Sequence, residues 1–177
     1  MAKVFWHTTI SLDGFMAGPG GDMAWMQGFS GPSPQTFQSI IANTGAALAG
    51  RNSYDSGANA GQKVYGGALD GPVFVLSRNP PRQDDPDVTF LTGDLAAAMA
   101  TVKEAAGGKD VVVIGGILGK ECLAAGLVDE VLIHVAPIML GDGVRLVDNP
   151  GGAPFRLKPV GVEAEGDVVT LRYVPDK

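Results

Sequence analysis

The sequence predicts an α/β fold: a single doubly wound, mainly parallel mixed sheet with helices on both faces and a C-terminal antiparallel hairpin. Three observations support this prediction. Short apolar runs alternate with segments of helical spacing along most of the chain. Residues 111–114 (VVVI) are apolar at every position, which is typical of a strand buried on both faces of a parallel sheet. The last two strand-like segments flank a turn at 165–167 (EGD), which predicts the hairpin.

Length, charge and cysteine content limit the class of protein. The 177 residues are expected to form one domain covering 1–177. A formal net charge of −6 argues against a nucleic-acid partner, which needs clustered Lys and Arg. No apolar run reaches the ~18 residues of a membrane span, so we expect no membrane partner. Cys122 is the single cysteine, and the N-terminus has no basic and apolar leader, so we expect a cytoplasmic location.

Local signals predict the individual elements. Ser33 and Pro34 supply an N-cap and a first helical residue, and the apolar residues of 95–105 recur at helical spacing. Residues 15–28 are rich in Gly and Met, which predicts a mobile loop suited to a lid, and 57–71 are predicted to be irregular. The predicted strands are 4–10, 46–49, 72–76, 88–91, 111–114, 130–135, 155–163 and 168–174. The predicted helices are 34–44, one that starts near 51–53, 95–107 and 117–125.

Polar residues or glycines follow four of the predicted strands. In a doubly wound sheet, ligands bind across the carboxyl ends of the strands near the point where the strand order reverses. We therefore expect the four strand ends to contribute to one binding site. They are Ser11-Leu12-Asp13-Gly14, Gly50-Arg51-Asn52-Ser53, Ser77-Arg78 and Gly115-Gly116.

The diglycine at 115–116 stands between a buried strand and a predicted helix. This order places free N–H groups and the positive end of a helix dipole at the sheet edge, which favours phosphate. A tight turn that binds nothing is the alternative, because two glycines are less specific than a full dinucleotide fingerprint. Arg78 suits an additional ribose phosphate because guanidinium binds phosphate through two hydrogen bonds. For Arg51, a solvated loop charge is the competing interpretation.

His7 lies within the first predicted strand, where a histidine is more often a packed residue than a ligand. No second histidine, cysteine or carboxylate stands at ligand spacing beside it. We therefore predict no metal site and a packing role for His7.

Four segments carry a resemblance to a known family: SLDGFMAG (11–18), GRNSY (50–54), VFVLSR (73–78) and VIGGILGKECLAAGLVDEVLIHVAPIMLGDG (113–143). Over nearly its whole length the chain resembles the dihydrofolate reductase-like superfamily, in the branch that includes the riboflavin-biosynthesis reductase, the RibD C-terminal domain. The resemblance implies a dihydrofolate reductase-like fold. It also implies an NADPH-dependent reductase that transfers hydride to a C=N or C=O of a small heterocyclic substrate of pterin, folate or aminopyrimidine type. A non-catalytic dinucleotide- or ligand-binding protein on the same fold is the alternative.

The resemblance also implies where NADPH would bind. In the family the GRx[ST] loop and the polar end of the next strand hold the phosphates, the diglycine and helix start receive the pyrophosphate, and the nicotinamide lies against the first strand. The implied contacts are Thr9, Ala17, Gly50, Arg51, Asn52, Ser53, Leu76, Ser77, Arg78, Ile114, Gly115, Gly116, Ile117, Leu118, Gly119 and Lys120. The diglycine peptide is cis in dihydrofolate reductases, so a cis bond is expected here.

The resemblance offers two candidates for the catalytic acid. Asp22 lies in a DMAW segment that resembles the Asp-Leu-Ala-Trp of the dihydrofolate reductase helix. Asp13 matches the SxDG of the riboflavin-type reductases. For Asp13, a turn aspartate that caps backbone N–H groups is an equal alternative.

A homodimer is expected from the C-terminal hairpin. The hairpin strands would stand at one side of the sheet, and their alternating residues divide between two faces: Val160, Val162, Val168, Thr170 and Arg172. An exposed apolar sheet face is usually covered by a symmetric copy. Riboflavin-type reductases associate through this region, so the resemblance implies the same. Protection of the edge within the monomer is the alternative, because Lys158 and Pro159 are residues that blunt an edge strand.

Overall fold

The computed structural model of the protein describes residues 2–59, 63–80 and 85–176. The strands are β1 (Val4–Ser11), β2 (Phe15–Ala17), β3 (Thr44–Gly50), β4 (Val73–Leu76), β5 (Thr89–Leu91), β6 (Asp110–Ile114), β7 (Glu130–Ala136), β8 (Val144–Arg145), β9 (Leu157–Glu165) and β10 (Val168–Pro175). The α-helices are α1 (Pro34–Asn43), α2 (Arg51–Asn59), α3 (Leu95–Ala105) and α4 (Gly116–Ala124). Short 3-10 turns lie at Pro19–Gly21, Ala24–Met26 and Val64–Gly67.

Eight strands form one mixed sheet in the order β5-β4-β3-β6-β1-β7-β10-β9. The pairs from β5 to β7 are parallel, whereas β10 runs antiparallel to both β7 and β9. The chain enters at the centre through β1, builds outward through β3, β4 and β5, and returns with β6 beside β1. The predicted doubly wound, mainly parallel sheet with a C-terminal hairpin is therefore confirmed.

Helices pack on both faces of the sheet, as predicted. On one face, Trp6 and Val113 pack in a core that includes Met99 of α3. On the other face, Phe5 packs in a second cluster with Ile40 of α1. Neighbouring residues of β1 therefore enter opposite cores, which explains why the central strands are apolar at both parities.

Side-chain caps set the starts of two helices. The Ser33 hydroxyl oxygen accepts a hydrogen bond from the Thr36 N–H at 3.2 Å, and Pro34 occupies the first helical position. Asp94 caps α3 in the same way by accepting from the Ala97 N–H at 2.9 Å. Both predicted helices form, and their ends differ from the predicted ones by one and two residues.

Residues 15–28 were predicted to be a loop, and this prediction is wrong for its first part. Phe15 is 4% exposed and pairs with Arg145, so that β2 and β8 form a small separate sheet. The turn before β2 is fixed by the Ser11 hydroxyl, which accepts from the Phe15 N–H at 2.9 Å. The irregular segment predicted from residue 57 is also partly wrong, because the backbone of α2 stays helical to Asn59; residues 60–62 lie outside the described ranges.

The hairpin of β9 and β10 also holds the start of α1. Glu165, the last residue of β9, accepts hydrogen bonds from the Ser33 N–H at 3.3 Å and the Thr36 hydroxyl at 3.0 Å. The turn uses Gly166 at φ 59°, a conformation that glycine adopts without steric cost. The hairpin thus fixes the entry of the chain into α1, which covers the second core.

The described helices include none with both the length and the apolar character that crossing a membrane requires.

Candidate functional site

A cavity of about 1840 Å³ lies at the carboxyl ends of the parallel strands. Residues from the ends of four strands reach it, among them Thr9 of β1, Gly50 of β3, Ser77 after β4 and Ile114 of β6. Pockets for single small molecules usually measure about 300–1,000 Å³. The cavity is therefore large enough for a dinucleotide and a second ligand side by side.

Three of the four predicted strand ends meet in this cavity. The Gly50-Arg51-Asn52-Ser53 segment, where β3 passes directly into α2, lines it together with the Ser77-Arg78 segment and the diglycine. The fourth, Ser11-Leu12-Asp13-Gly14, is absent from the described lining residues. The chain turns back there to form β2 before it reaches the cavity wall with Met16 and Ala17.

The diglycine forms the junction between β6 and α4. Gly115 has φ 110° and ψ 145°, a conformation that favours glycine, and Gly116 is the first residue of the helix. The peptide between them is trans, so the expected cis bond is wrong. A Cβ atom built on Gly115 would lie 2.5 Å from the Ser53 hydroxyl oxygen, so the α2 start and the diglycine are in close contact. The N–H groups of the first turn of α4 have no acceptor within the helix. They lie at the end of α4 where both glycines line the cavity.

The two arginines at the strand ends differ in what they already bind. Arg51 Nε donates to Asp55 Oδ1 at 2.8 Å, and Arg51 also donates to the Asn79 carbonyl at 2.7 Å. It therefore joins α2 to the loop after β4. The interpretation of Arg51 as a solvated loop charge does not account for these two contacts. Arg78 is exposed and lines the cavity, so it is the stronger candidate for a ligand phosphate.

The sixteen residues that the resemblance implied around NADPH all line the cavity except Gly119 and Lys120. Gly119 faces the sheet, and a Cβ atom there would overlap the indole ring of Trp6. Lys120 Nζ donates to the Asp148 carbonyl at 2.8 Å and lines a neighbouring smaller cavity. These two positions follow the diglycine in sequence, but the helical turn carries them away from the cavity wall.

Neither candidate acid lines the cavity. The Asp13 carboxylate accepts hydrogen bonds from the Ser11 hydroxyl at 2.6 Å and from the N–H groups of Leu140 and Gly141 at 3.1 and 2.7 Å. The Ser11 hydrogen bond is the main cause that lowers the pKa of Asp13 to about 2. Asp22 caps a 3-10 turn by accepting from the Ala24 N–H at 2.9 Å. The arrangement supports turn-capping roles for both and does not support proton donation by either at the cavity.

A polar cluster that no sequence motif indicated lies on the cavity wall and is formed by His7, Tyr65 and His134. His7 Nδ1 lies 2.7 Å from the Tyr65 hydroxyl oxygen, and the two imidazole rings meet edge to face with centroids 4.9 Å apart. The parallel register of β1 on β7 brings the histidines together, since Thr9 is the Cα partner of His134. The available signal was that each histidine lies within a predicted strand rather than in a loop.

Two features of this cluster are energetically unfavourable by themselves. His134 is 3% exposed and its Nδ1 is hydrogen-bonded to Thr170 Oγ1 at 2.8 Å, but its Nε2 has no partner among the described residues. An unsatisfied buried polar group costs about 1–3 kcal/mol. Tyr65 has φ 52°, and a non-glycine residue in the left-handed region costs roughly 1–3 kcal/mol. Such features persist mainly at functional sites, so the cluster is a strong candidate for ligand contact.

The cluster is uncharged at neutral pH. Burial is the main cause that lowers the pKa of His7 to about 3, and His134 and Arg172 lower it further. Burial also lowers the pKa of His134 to about 4, with a further lowering by Arg172 and an opposing effect of Glu165. Burial raises the pKa of Tyr65, so the phenol keeps its proton.

The architecture is a dihydrofolate reductase-like fold. The family model of the RibD C-terminal domain matches residues 2–171, and the chain therefore belongs to the RibD C-terminal domain family. The family and the fold are those of reductases.

Similar proteins cover almost the whole chain. The uncharacterized protein YwjB of Bacillus subtilis (strain 168) is 26% identical over 176 residues, which is 97% of each chain. A protein from Shewanella sp. PV-4, whose crystal structure carries the provisional name of a riboflavin biosynthesis protein, is 23% identical to this chain. The two structures superpose with a TM-score of 0.81 over 99% of both chains. Dihydrofolate reductase from Enterococcus faecalis, in complex with NADP(H), is 14% identical with a TM-score of 0.61 over 99% of this chain and 97% of that one. At these identities the two solved structures show a shared fold.

Proposed function

We propose that the protein is an NADPH-dependent reductase that transfers hydride to a C=N or C=O of a small heterocyclic substrate of pterin, folate or aminopyrimidine type. One observation carries the proposal: the β3–α2 junction at Gly50, the Ser77-Arg78 segment and the diglycine start of α4 form one wall of a cavity with room for two ligands. A dinucleotide needs phosphate contacts along such a wall and open space beside its nicotinamide.

The residues present fit this cofactor. The N–H groups at the start of α4, next to Gly115 and Gly116, would hold the pyrophosphate, since this end of a helix favours anions. Ser77 and Arg78 would hold the additional ribose phosphate, and Thr9 would lie against the nicotinamide. When bound, NADPH supplies the hydride. The task of the chain is to orient the cofactor and substrate and to exclude water.

A second candidate function is a dinucleotide- or ligand-binding protein without turnover. The observation that favours it is that neither Asp13 nor Asp22 lines the cavity. Titration with NADPH separates the candidates when it is combined with an assay of NADPH oxidation across a panel of pterins, folates and aminopyrimidines. Saturable binding with oxidation supports the reductase. Saturable binding without oxidation favours the binding protein, and a protein with neither binding nor a thermal shift contradicts both.

We expect the protein to prefer NADPH over NADH, and Arg78→Ala to lose most of that preference. A charge-assisted contact to the ribose phosphate contributes roughly 1.5–3 kcal/mol, which corresponds to about ten- to a hundredfold in affinity. Isothermal titration with both cofactors measures the ratio of dissociation constants. Arg156→Ala is the matched control, because Arg156 is exposed and outside the described cavity lining. Equal affinities for the two cofactors in the parent protein would contradict the expectation.

We also propose a homodimer that forms through the β9–β10 hairpin. Val160, Val162 and Val169 are 57%, 64% and 40% exposed, which is unusual for valines on strands. The register pairs Val162 with Leu171 and Ala164 with Val169, so these residues share one face of the sheet. Val168, considered with them from the sequence, lies on the opposite face and is 4% exposed, so it is not part of this surface. An apolar sheet face of this kind is usually covered by a partner.

Light scattering at micromolar concentration is expected to give a mass near twice 18.2 kDa. Val162→Asp should shift the protein to the monomer, whereas Glu163→Ala on the opposite face of β9 should leave the dimer intact. The alternative is edge protection within the monomer, since Lys158 pairs with Asp176 at 2.6 Å beside Pro159. A monomer mass for the parent protein at high concentration would establish that alternative.

A further inference from the structure

The cluster of His7, Tyr65 and His134 has no role in the cofactor wall described above. His7 lies in β1, Tyr65 in the 3-10 turn at Val64–Gly67, and His134 in β7. Phe37 of α1 extends the cluster, because its ring meets that of Tyr65 edge to face with centroids 5.7 Å apart. The cluster and Phe37 line the same cavity as the strand ends. A flat ligand ring beside the cofactor would meet aromatic surfaces and hydrogen-bonding groups at this end.

The hydrogen bonds within the cluster leave two ring nitrogens, Nε2 of His7 and Nε2 of His134, without a partner among the described residues, and Nε2 of His134 is buried. Thr170 holds the orientation of His134 through Nδ1 at 2.8 Å, and the opposite ring nitrogen, Nε2, has no partner among the described residues. The Tyr65 hydroxyl oxygen lies 2.7 Å from Nδ1 of His7. The backbone of Tyr65 has a positive φ, a conformation that residues with a side chain rarely adopt. Two independent features therefore point to a ligand at one place.

The cluster offers hydrogen bonds without charge. A neutral imidazole has one donor and one acceptor nitrogen, and a phenol can do both. The nearest charged groups are bound elsewhere: Arg172 pairs with Glu130 at 3.0 Å, and Glu165 holds the start of α1. The described carboxylates on the cavity wall are Asp55, Asp85, Asp87 and Glu121, and none of these four is hydrogen-bonded to the cluster. A charged ligand group would meet no opposite charge within the cluster.

We propose that His7, Tyr65 and His134 contact the substrate, and that the substrate presents to them an uncharged, flat edge with neighbouring N–H and C=O groups, as in a cyclic amide. His134 Nε2 forms one of these hydrogen bonds. The cluster itself offers a phosphate or carboxylate no positive charge. The inference rests on the proposed function only for the identity of the hydride donor beside the substrate.

The chain has two histidines, so tag-free protein labelled with ¹⁵N-histidine reports the cluster directly by NMR. The probe is 2-pyridone, a neutral cyclic amide, compared with 1-methyl-2-pyridone, which lacks the N–H, and with nicotinate, which carries a carboxylate. We expect 2-pyridone to shift the ring nitrogens of both histidines, with and without NADP⁺ present. The methylated and anionic probes should bind at least about fivefold more weakly, the loss expected for one or two hydrogen bonds.

Two variants test the contact by removing single polar groups. His134→Phe keeps a ring but has no nitrogen, and it should weaken 2-pyridone binding about five- to tenfold. Tyr65→Phe removes one oxygen atom, and it should shift the His7 resonances and weaken binding a fewfold even if His134→Phe fails to fold. Both variants should bind NADPH like the parent protein, because neither residue belongs to the phosphate wall.

The outcomes separate this inference from the proposed function. Histidine shifts with 2-pyridone in a protein that does not bind NADPH would support the cluster and contradict the reductase. Equal binding of the three probes, no shift at millimolar 2-pyridone, or unchanged affinity in Tyr65→Phe would overturn the inference. The cluster would then be a packing arrangement in which the two imidazole rings meet edge to face.

Discussion

Gly116→Val is expected to abolish NADPH binding, with an increase in dissociation constant of more than about a hundredfold. Gly116 opens α4, and a Cβ atom there would lie 2.8 Å from the Leu146 carbonyl oxygen and 2.9 Å from Met16 Sδ. Met16 can move because its sulfur is near the end of a flexible side chain, but the backbone of Leu146 cannot, so the start of α4 must shift. The loss of two charge-assisted hydrogen bonds to the phosphates, at about 1.5 kcal/mol each, accounts for a hundredfold increase in the dissociation constant.

Fluorescence titration with NADPH at low temperature measures this effect, and circular dichroism checks that the variant is folded. Some loss of stability is expected as well, since displacing a helix start disturbs packing. The control is therefore a second destabilised variant in the same helix, Gly119→Ala, which does not line the cavity. If Gly116→Val binds NADPH like the parent protein, the phosphates lie elsewhere.

Most of the fold could be predicted from the sequence because its determinants are local. The four apolar residues of 111–114 specify a strand buried on both faces, and the structure buries Val111, Val112 and Val113 completely. The cap at Ser33 specifies where α1 begins, and the sequence offers Thr92 or Asp94 as the cap of α3, of which the structure uses Asp94. The alternation of strands and helices then permits few arrangements other than a parallel sheet.

The small sheet of β2 and β8 could not be predicted in this way. Strands of three and two residues are too short to show a period. They form because Phe15 is buried, and because the Arg145 guanidinium lies 4.5 Å from the centre of its ring. That contact joins residues far apart in sequence, so it has no local signature.

The two ends of the cavity also differ in how far the sequence predicts them. The wall with the β3–α2 junction at Gly50, Ser77 and the diglycine could be predicted because each part lies at the end of a strand in sequence. The cluster opposite depends on the register of β1 on β7 and on a hydrogen bond between His7 and Tyr65, which are 58 residues apart. The role implied for Gly119 came from its position beside the diglycine in sequence, whereas the helical period turns it towards Trp6.

Gly119→Ala is expected to cause the largest loss of stability of the changes considered. Trp6 is 2% exposed and is fixed in the central strand, with Val113 and Val131 as its Cα partners on either side. A Cβ atom on Gly119 would overlap its indole ring. The higher helix propensity of alanine than of glycine would by itself stabilise the protein by about 1 kcal/mol. Overpacking of this severity costs about 3 kcal/mol or more, so the clash dominates and the melting temperature should fall by about 4–8 °C.

Thermal unfolding followed by circular dichroism measures the loss, and the double variant Gly119→Ala with Trp6→Phe provides the control. Phenylalanine makes room for the added methyl group, so the double variant should lose less stability than the sum of the two single changes. Gly119→Ala should also bind NADPH within about twofold of the parent protein, in contrast to Gly116→Val. A stable Gly119→Ala protein that fails to bind NADPH would instead place Gly119 at the cofactor, because a residue packed only against Trp6 affects binding through folding alone.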